Sequence, residues 1–300
     1  MRILVTGRDG QLARSLSERL VDHELLFAGR PEVDLTERGS VDAAILAARP
    51  DAVINAAAYT AVDQAESEEA LAFRINAEAA GEAAGAAAKV GASIIQLSTD
   101  YVFDGSGSSA YRETDLTAPQ SAYGRSKLAG EQAVRAANPR HLILRTAWLY
   151  SPFGRNFVRT MLAAARQRDV LTVVEDQRGS PTSALDLADG IAAVLGRHPA
   201  EAIGGLWGTY HLANAGETSW YGFAVAIMDE ARGLGLRSAE VRPIRKADWP
   251  TPARRPANSV LNSSRFARAF GFTMPHWRNS LAEVVRRIAS DSPAEVGAGT

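Results

Sequence analysis

Tyr123 and Lys127 stand four residues apart in Ser121-Ala122-Tyr123-Gly124-Arg125-Ser126-Lys127, after Pro119 and at the start of a helical pattern. On a helix that spacing puts both side chains on one face. An ammonium beside a phenol stabilises the phenolate and lowers its pKa from about 10. Such a tyrosine exchanges a proton with a substrate oxygen near neutral pH. The same spacing on an ordinary helix is commonly surface decoration, so the weight lies in what precedes it.

The elements that must position this pair alternate as strand and helix. Ile3-Leu4-Val5-Thr6 reads as a buried strand, followed by Gly7-x-x-Gly10-x-x-Ala13 and a helix with Leu12, Leu16 and Leu20 on one face. Glycines there let the backbone turn and approach a pyrophosphate at a helix N-terminus. The second strand, Leu25–Ala28, ends at Gly29-Arg30. Arg30 either meets a ribose 2′-phosphate or is a solvated loop residue. Asp34 either bonds the adenosine or caps the helix starting near Ser40. Asp51–Asn55 is a third strand, ending in Ala56-Ala57-Ala58-Tyr59-Thr60, where small side chains leave room for a ligand or for close packing. A long Ala-rich helix from about Glu66 to Lys89 contains Asn76, placed to bond an adjoining strand. The strand Ser93–Leu97 runs into Ser98-Thr99-Asp100-Tyr101-Val102-Phe103, whose two hydroxyls are either a carbonyl-binding pair or a turn. This alternation predicts a doubly wound α/β parallel sheet with ligands at the strands' carboxyl ends.

Beyond the strand His141–Arg145, the pattern becomes irregular. Residues 1–148, with about 175–200 returning, form the expected nucleotide domain. Residues 149–174 and 205–290 form a smaller mixed domain, and 291–300 a disordered tail. Helix Ala184–Leu195 carries Asp186 and Asp189 on its polar side. Thr251-Pro252-Ala253-Arg254-Arg255-Pro256 is a stiff loop whose guanidinium groups suit a diphosphate or are simply solvated. Trp148, Trp220 and Trp249 are core aromatics by default, with a substrate role left to Trp148 beside a strand end.

Composition narrows the class. Apolar residues are 46%, charged residues 22%, and the formal net charge is -1, which points to neither a nucleic acid nor a membrane surface. With no cysteine, disulfides, thiolate nucleophiles and Cys-based zinc sites are excluded. No signal peptide or membrane span is read, so a cytoplasmic protein is expected.

Taken together, the glycine loop, Asn55-Ala56-Ala57-Ala58, Ser98–Phe103 and Tyr123-x-x-x-Lys127 make the chain resemble the extended short-chain dehydrogenase/reductase family. Further blocks carry the resemblance over residues 1 to about 285: Gly7–Leu12, Asn55–Glu66, Tyr123–Glu131, Arg145-Thr146-x-Trp148, Asp176–Thr182 and Thr251–Pro256. They resemble the branch that reduces the 4-keto group of dTDP-4-dehydro-L-rhamnose with NADPH or NADH, here with NADPH slightly favoured.

The resemblance implies Tyr123 as proton donor, Lys127 as its partner on the nicotinamide ribose, and Thr99 as the third member. It implies Gly7, Gly10, Gln11 and Leu12 at the pyrophosphate, and Arg30, Asp34 and Leu35 around the adenosine. Ala57, Ala58, Tyr59, Thr60 and Leu97 line the cofactor; Thr99, Asp100, Tyr123, Trp148 and Arg254 meet the sugar nucleotide. Some members dimerise around magnesium held by glutamates, one of them in the first helix. Here Ala13-Arg14-Ser15-Leu16 offers no acid until Glu18, which speaks against that metal while leaving a homodimer open. The competing readings are a non-catalytic dinucleotide-binding regulatory subunit and another sugar-nucleotide reductase or epimerase.

Overall fold

The computed structural model describes residues 1–197 and 204–291. A six-stranded sheet forms its centre. The strands are β1 (Arg2–Thr6), β2 (Glu24–Ala28), β3 (Ala52–Asn55), β4 (Ser93–Thr99) and β5 (His141–Thr146). β6 (Val170–Val174) lies outside this sheet, and β7 (Gly208–His211) completes it. The order β7-β5-β4-β3-β1-β2 is parallel throughout. The chain leaves β1 for β2 on one side and returns to β3 on the other. That reversal opens a crevice at the carboxyl ends.

Both faces of the sheet are covered, which is why its strands are continuous apolar runs. On one face α1 (Gln11–Arg19) and α7 (Ala184–Leu195) pack Leu12, Leu16, Leu187 and Ile191 onto Ile3, Val5, Ile54 and Leu142. On the other, α2 (Ser40–Ala48) and α4 (Ala79–Lys89) pack Ile45 and a run of alanines onto Leu4, Val53 and Ile94. Alanines on α4 allow close approach of helix to sheet. In register across the strands, Thr6 donates to Asn55 Oδ1 (2.6 Å) and Asn55 to Gln96 Oε1 (2.7 Å), so these buried polar groups satisfy one another.

The long Ala-rich helix is not continuous. Helix α3 (Glu69–Phe73) passes into a π-helical turn, Arg74–Glu78, before α4. The extra residue turns Asn76 toward the strand ends, where its amide bonds both backbone groups of Tyr59 and the Ser126 hydroxyl. A helical period alone does not predict this wide turn.

A second cluster gathers α6 (Phe157–Ala165), α8 (Trp220–Gly233) and, beyond the short α9 (Ser264–Phe270), α10 (Trp277–Asp291) around Tyr150, Phe223 and Trp277. β6 pairs in parallel with β8 (Glu240–Ile244) beside it. Two expectations change. β7, assigned from sequence to the smaller domain, joins the main sheet beside β5, because its parallel register buries Tyr210 and His211. Asp186 is not on a polar face: it is buried and accepts from Asn214 and Ser280. Apart from Asp291, which ends α10, the expected tail 291–300 lies outside the described residues. Among the described residues no helix is long and apolar enough to cross a membrane.

Candidate active site

Helix α5 (Ala122–Ala137) begins where Ser121 accepts the Gly124 N–H at 3.1 Å. A hydroxyl at this N-cap satisfies a free donor and fixes the first turn, so Tyr123 sits at the helix entrance with its ring edge against Tyr101. Thr99 ends β4, its hydroxyl donating to Asp100 Oδ1 at 3.0 Å. Thr99, Tyr123 and Lys127 therefore meet at the carboxyl end of the sheet's central strands.

The electrostatics differ from the simple phenol–ammonium couple. Lys127 is buried and donates to the Leu97 carbonyl at 2.7 Å. Burial lowers its pKa to about 8, while the Glu131 carboxylate works to raise it. Tyr123 is pushed up to about 12 by desolvation, with the Thr99 hydroxyl pulling it down and the Asp100 charge pushing it up. The expected depression of Tyr123 by Lys127 is thus absent here: the ammonium points at a backbone carbonyl, and burial disfavours the phenolate. Tyr123 is firmly protonated, as a proton donor must be. Asp100 is held at about 6, chiefly by burial, with the Ser259 and Thr99 hydroxyls opposing.

Ser98 and Thr99 do not act as one hydroxyl pair. Successive strand residues face opposite ways, and Ser98 turns away to donate to Glu131 at 2.6 Å. Asp100, expected at the sugar, is 3% exposed and works from beneath Thr99.

The dinucleotide half is formed by backbone. Gly7 has φ +88, a left-handed conformation that favours glycine, and a Cβ there would press on Ala57. Gly10 caps α1 without a side-chain bond, and the first turn holds no acid, so its N–H groups suit a pyrophosphate. Leu12 points into the core, leaving only its backbone on this side. The Gln11 side chain accepts from Ser151 (2.9 Å) and Asn156 (3.1 Å), tying the glycine loop to residues 151–156, while its backbone stands in the first turn of α1. Arg30 is exposed at the end of β2. Arg8, not singled out from sequence, packs against Gly29 and pairs with Glu32 at 2.9 Å, giving that edge a second guanidinium. Asp34 neither caps α2 nor stands free: it accepts from Thr36, while its own N–H goes to Ser40. Leu35 packs on the core beneath α2. Ala57 bonds Thr6, and Ala58 and Thr60 continue the loop. The Tyr59 phenol donates to Glu68 at 2.7 Å, so this residue meets the crevice through a backbone that Asn76 fixes.

A cleft of about 240 Å³ opens beside this centre, lined by Met161, Gln177, Trp220, Trp249, Lys246 and Arg255 among others. Arg255, not Arg254, reaches it. Arg255 pairs with Asp63 at 2.7 Å and its charge bears on Tyr101, the neighbour of Tyr123. Arg254 is exposed and reaches only Gln120, at 3.4 Å. Trp148 has φ +48 and stacks on Trp220, ring centroids 3.6 Å apart, so it supports the cleft wall from behind. Trp249, 60% exposed, is a wall residue rather than core, while Trp220 lines the cleft and also packs on the second core cluster. Aromatic type alone carries no signal that separates wall from core. Among the described residues no cluster of three or more His, Asp or Glu side chains could hold a metal, and Glu18 is engaged by Arg287 at 2.7 Å.

Residues 1–290 match the family model described as RmlD substrate binding domain. The chain is 46% identical to a dTDP-4-dehydrorhamnose reductase of Sinorhizobium fredii, over 95% of this chain and 97% of that one. It is similar to a crystal structure of a dTDP-4-dehydrorhamnose reductase from Clostridium acetobutylicum, with TM-score 0.89, 39% identity, and 96% and 100% of the two chains covered. The Bacillus anthracis structure, also titled dTDP-4-dehydrorhamnose reductase and in complex with NADP, matches with TM-score 0.87 and 37% identity over 94% of this chain and 98% of that one.

Proposed function

The chain belongs to the RmlD substrate binding domain family, and from its site we propose that it reduces the 4-keto group of dTDP-4-dehydro-L-rhamnose to give dTDP-L-rhamnose, using NADPH or NADH. One observation carries this: Thr99, Tyr123 and a buried Lys127 share the carboxyl edge of the sheet with a glycine loop whose helix N-terminus is free for a pyrophosphate.

When bound, the reduced nicotinamide supplies the hydride. The chain's own part is to orient the carbonyl and deliver a proton. Tyr123, protonated because its phenol is desolvated, holds the proton that goes to the carbonyl oxygen as negative charge develops there. The Thr99 hydroxyl, which donates to Asp100 without substrate, turns its proton to the carbonyl oxygen once the sugar is seated and so sets that oxygen's place. General acid help of this kind contributes about 10²–10⁴-fold, and preorganised donors add to it. Lys127 offers a buried cation to the ribose edge and keeps the local field positive.

The sugar nucleotide's diphosphate is assigned to Arg255 and Lys246, its base to the walls of Trp220 and Trp249. The six-stranded sheet serves the dinucleotide, and the cluster around α6, α8 and α10 serves the sugar nucleotide. Two guanidinium groups, Arg8 and Arg30, at the end of β2 support NADPH over NADH. We place the reaction in the cytoplasm, which suits a chain similar to dTDP-4-dehydrorhamnose reductases.

The test is direct. The protein is mixed with dTDP-4-dehydro-L-rhamnose and either reduced cofactor, and loss of the cofactor's near-ultraviolet absorbance is followed. Oxidation with NADPH, faster than with NADH, is expected. Cofactor binding without oxidation would favour the regulatory-subunit reading instead.

A further inference from the structure

The active-site helix and strand are joined by contacts between three successive strand residues and three successive turns of the helix, though not in the same order. Lys127 donates to Leu97 O at 2.7 Å. One turn later on α5, Glu131 accepts from the next strand residue, Ser98, at 2.6 Å. The third strand residue is Thr99, which bears on Tyr123 one turn before Lys127.

Glu131 is not a solvated surface carboxylate; it is fully buried. Arg145, on β5 and 3% exposed, grips it with two bonds, Nε to Oε1 at 2.8 Å and Nη2 to Oε2 at 2.7 Å. Arg135 adds a third, to Oε2 at 3.0 Å. The paired guanidinium holds the carboxylate in one place, so Ser98 meets a fixed acceptor rather than a mobile one. Ser98 itself has no other role at the site, since it faces away from the crevice.

We infer that Glu131 is a positioning residue for the reduction: by taking the Ser98 hydroxyl it sets the register between the strand end that carries Thr99 and the helix that carries Tyr123 and Lys127. The inference rests on the reductase reading of that site. A small slip between these two elements separates the groups that must meet one oxygen, and misplacement of about 1 Å costs on the order of 10²-fold in rate. Glu131 has a second, electrical effect. Its carboxylate supports the cationic form of Lys127 against burial. The other charges near it are Arg145 from β5 and Arg135 on its own helix, both facing Glu131. His211, from β7, lies in the field of Arg145 and is held neutral by burial.

Two variants test this beside the wild type, each with NADPH and dTDP-4-dehydro-L-rhamnose. Ser98→Ala leaves the Glu131–Arg145 pair intact. It is expected to fold, to bind NADPH as the wild type does, and to lose about 10- to 100-fold in kcat. Glu131→Gln keeps an acceptor oxygen for Ser98 but removes the charge. Its alkaline limb of kcat/KM is expected to move to lower pH, while that of Ser98→Ala stays in place; a purely structural role would move neither limb. A Ser98→Ala enzyme with wild-type kcat, or an unmoved limb in a folded Glu131→Gln enzyme, overturns the role. Where Glu131→Gln does not fold, the kcat of Ser98→Ala decides. An inactive wild type overturns the reductase reading and this role together; an active wild type with a normal Ser98→Ala overturns only the role.

Discussion

Lys127 reaches the carbonyl of Leu97 at 2.7 Å, not the phenol of Tyr123, although the two side chains leave the same face of one helix. The lysine thus acts on the site from the strand side. A buried ammonium needs an oxygen partner, and the Leu97 carbonyl, which also accepts from the Gln96 amide at 2.9 Å, supplies one.

Tyr123→Phe removes only the phenolic oxygen. The ring still packs against Tyr101, 5.5 Å between centroids, so folding and NADPH affinity are expected to persist. Turnover should fall about 10²–10⁴-fold, the usual contribution of a positioned acid. Steady-state kinetics with calorimetric NADPH titration checks both halves, and near-normal turnover would remove Tyr123 from the proton-donor role.

Lys127 gives activity and stability opposite pH trends. Its pKa lies at about 8 in the fold against 10.5 for a lysine free in water. Between those values the unfolded chain binds the proton that the folded chain has lost, so this group's contribution to stability rises with pH across that window. The cation needed at the ribose disappears over the same range. The kcat/KM for NADPH is therefore expected to fall with a midpoint near pH 8, as read from initial rates. Lys127→Met should flatten the corresponding rise in unfolding free energy measured by urea titration.

Gly179 faces the Trp148 indole so closely that a Cβ would collide with it. Trp148 cannot retreat, because Trp220 is stacked on its other side at 3.6 Å. Gly179→Ala should push the pair into the cleft, cost about 1–3 kcal/mol of stability and raise KM for the sugar nucleotide. NADPH affinity should be unchanged. Thermal melts and separate KM determinations for the two ligands test this.

The adjacent arginines are expected to separate cleanly. Arg255 lines the cleft and is oriented by Asp63, so Arg255→Ala should raise KM for the sugar nucleotide by about 10- to 100-fold, matching the loss of a charge-assisted contact of about 1.5–3 kcal/mol. Arg254→Ala, at an exposed position with one long bond, should leave KM unchanged. Equal effects would place the diphosphate elsewhere.

Much of the sheet was legible because its signals are local. Apolar runs mark strands buried on both faces, and the Gly7–Ala13 spacing marks the turn into α1. The π-helical turn at Asn76 was not legible, since a single inserted residue leaves an Ala-rich period almost undisturbed. Arg8 carries no local signal for a related reason: its neighbours Gly29 and Glu32 are far along the chain and come close only through the β1–β2 pair.

The sequence by itself determined that Tyr123 and Lys127 share a helix face, that Thr99 ends a central strand, and that a glycine turn opens the first helix. These follow from periods and caps spanning a few residues. Tertiary structure alone decided that Lys127 bonds Leu97, that Ser98 turns from the crevice to Glu131, that Arg255 rather than Arg254 enters the cleft, and that β7 joins the main sheet. Each depends on groups brought together from distant parts of the chain, and burial then shifts their proton affinities in ways no spacing encodes.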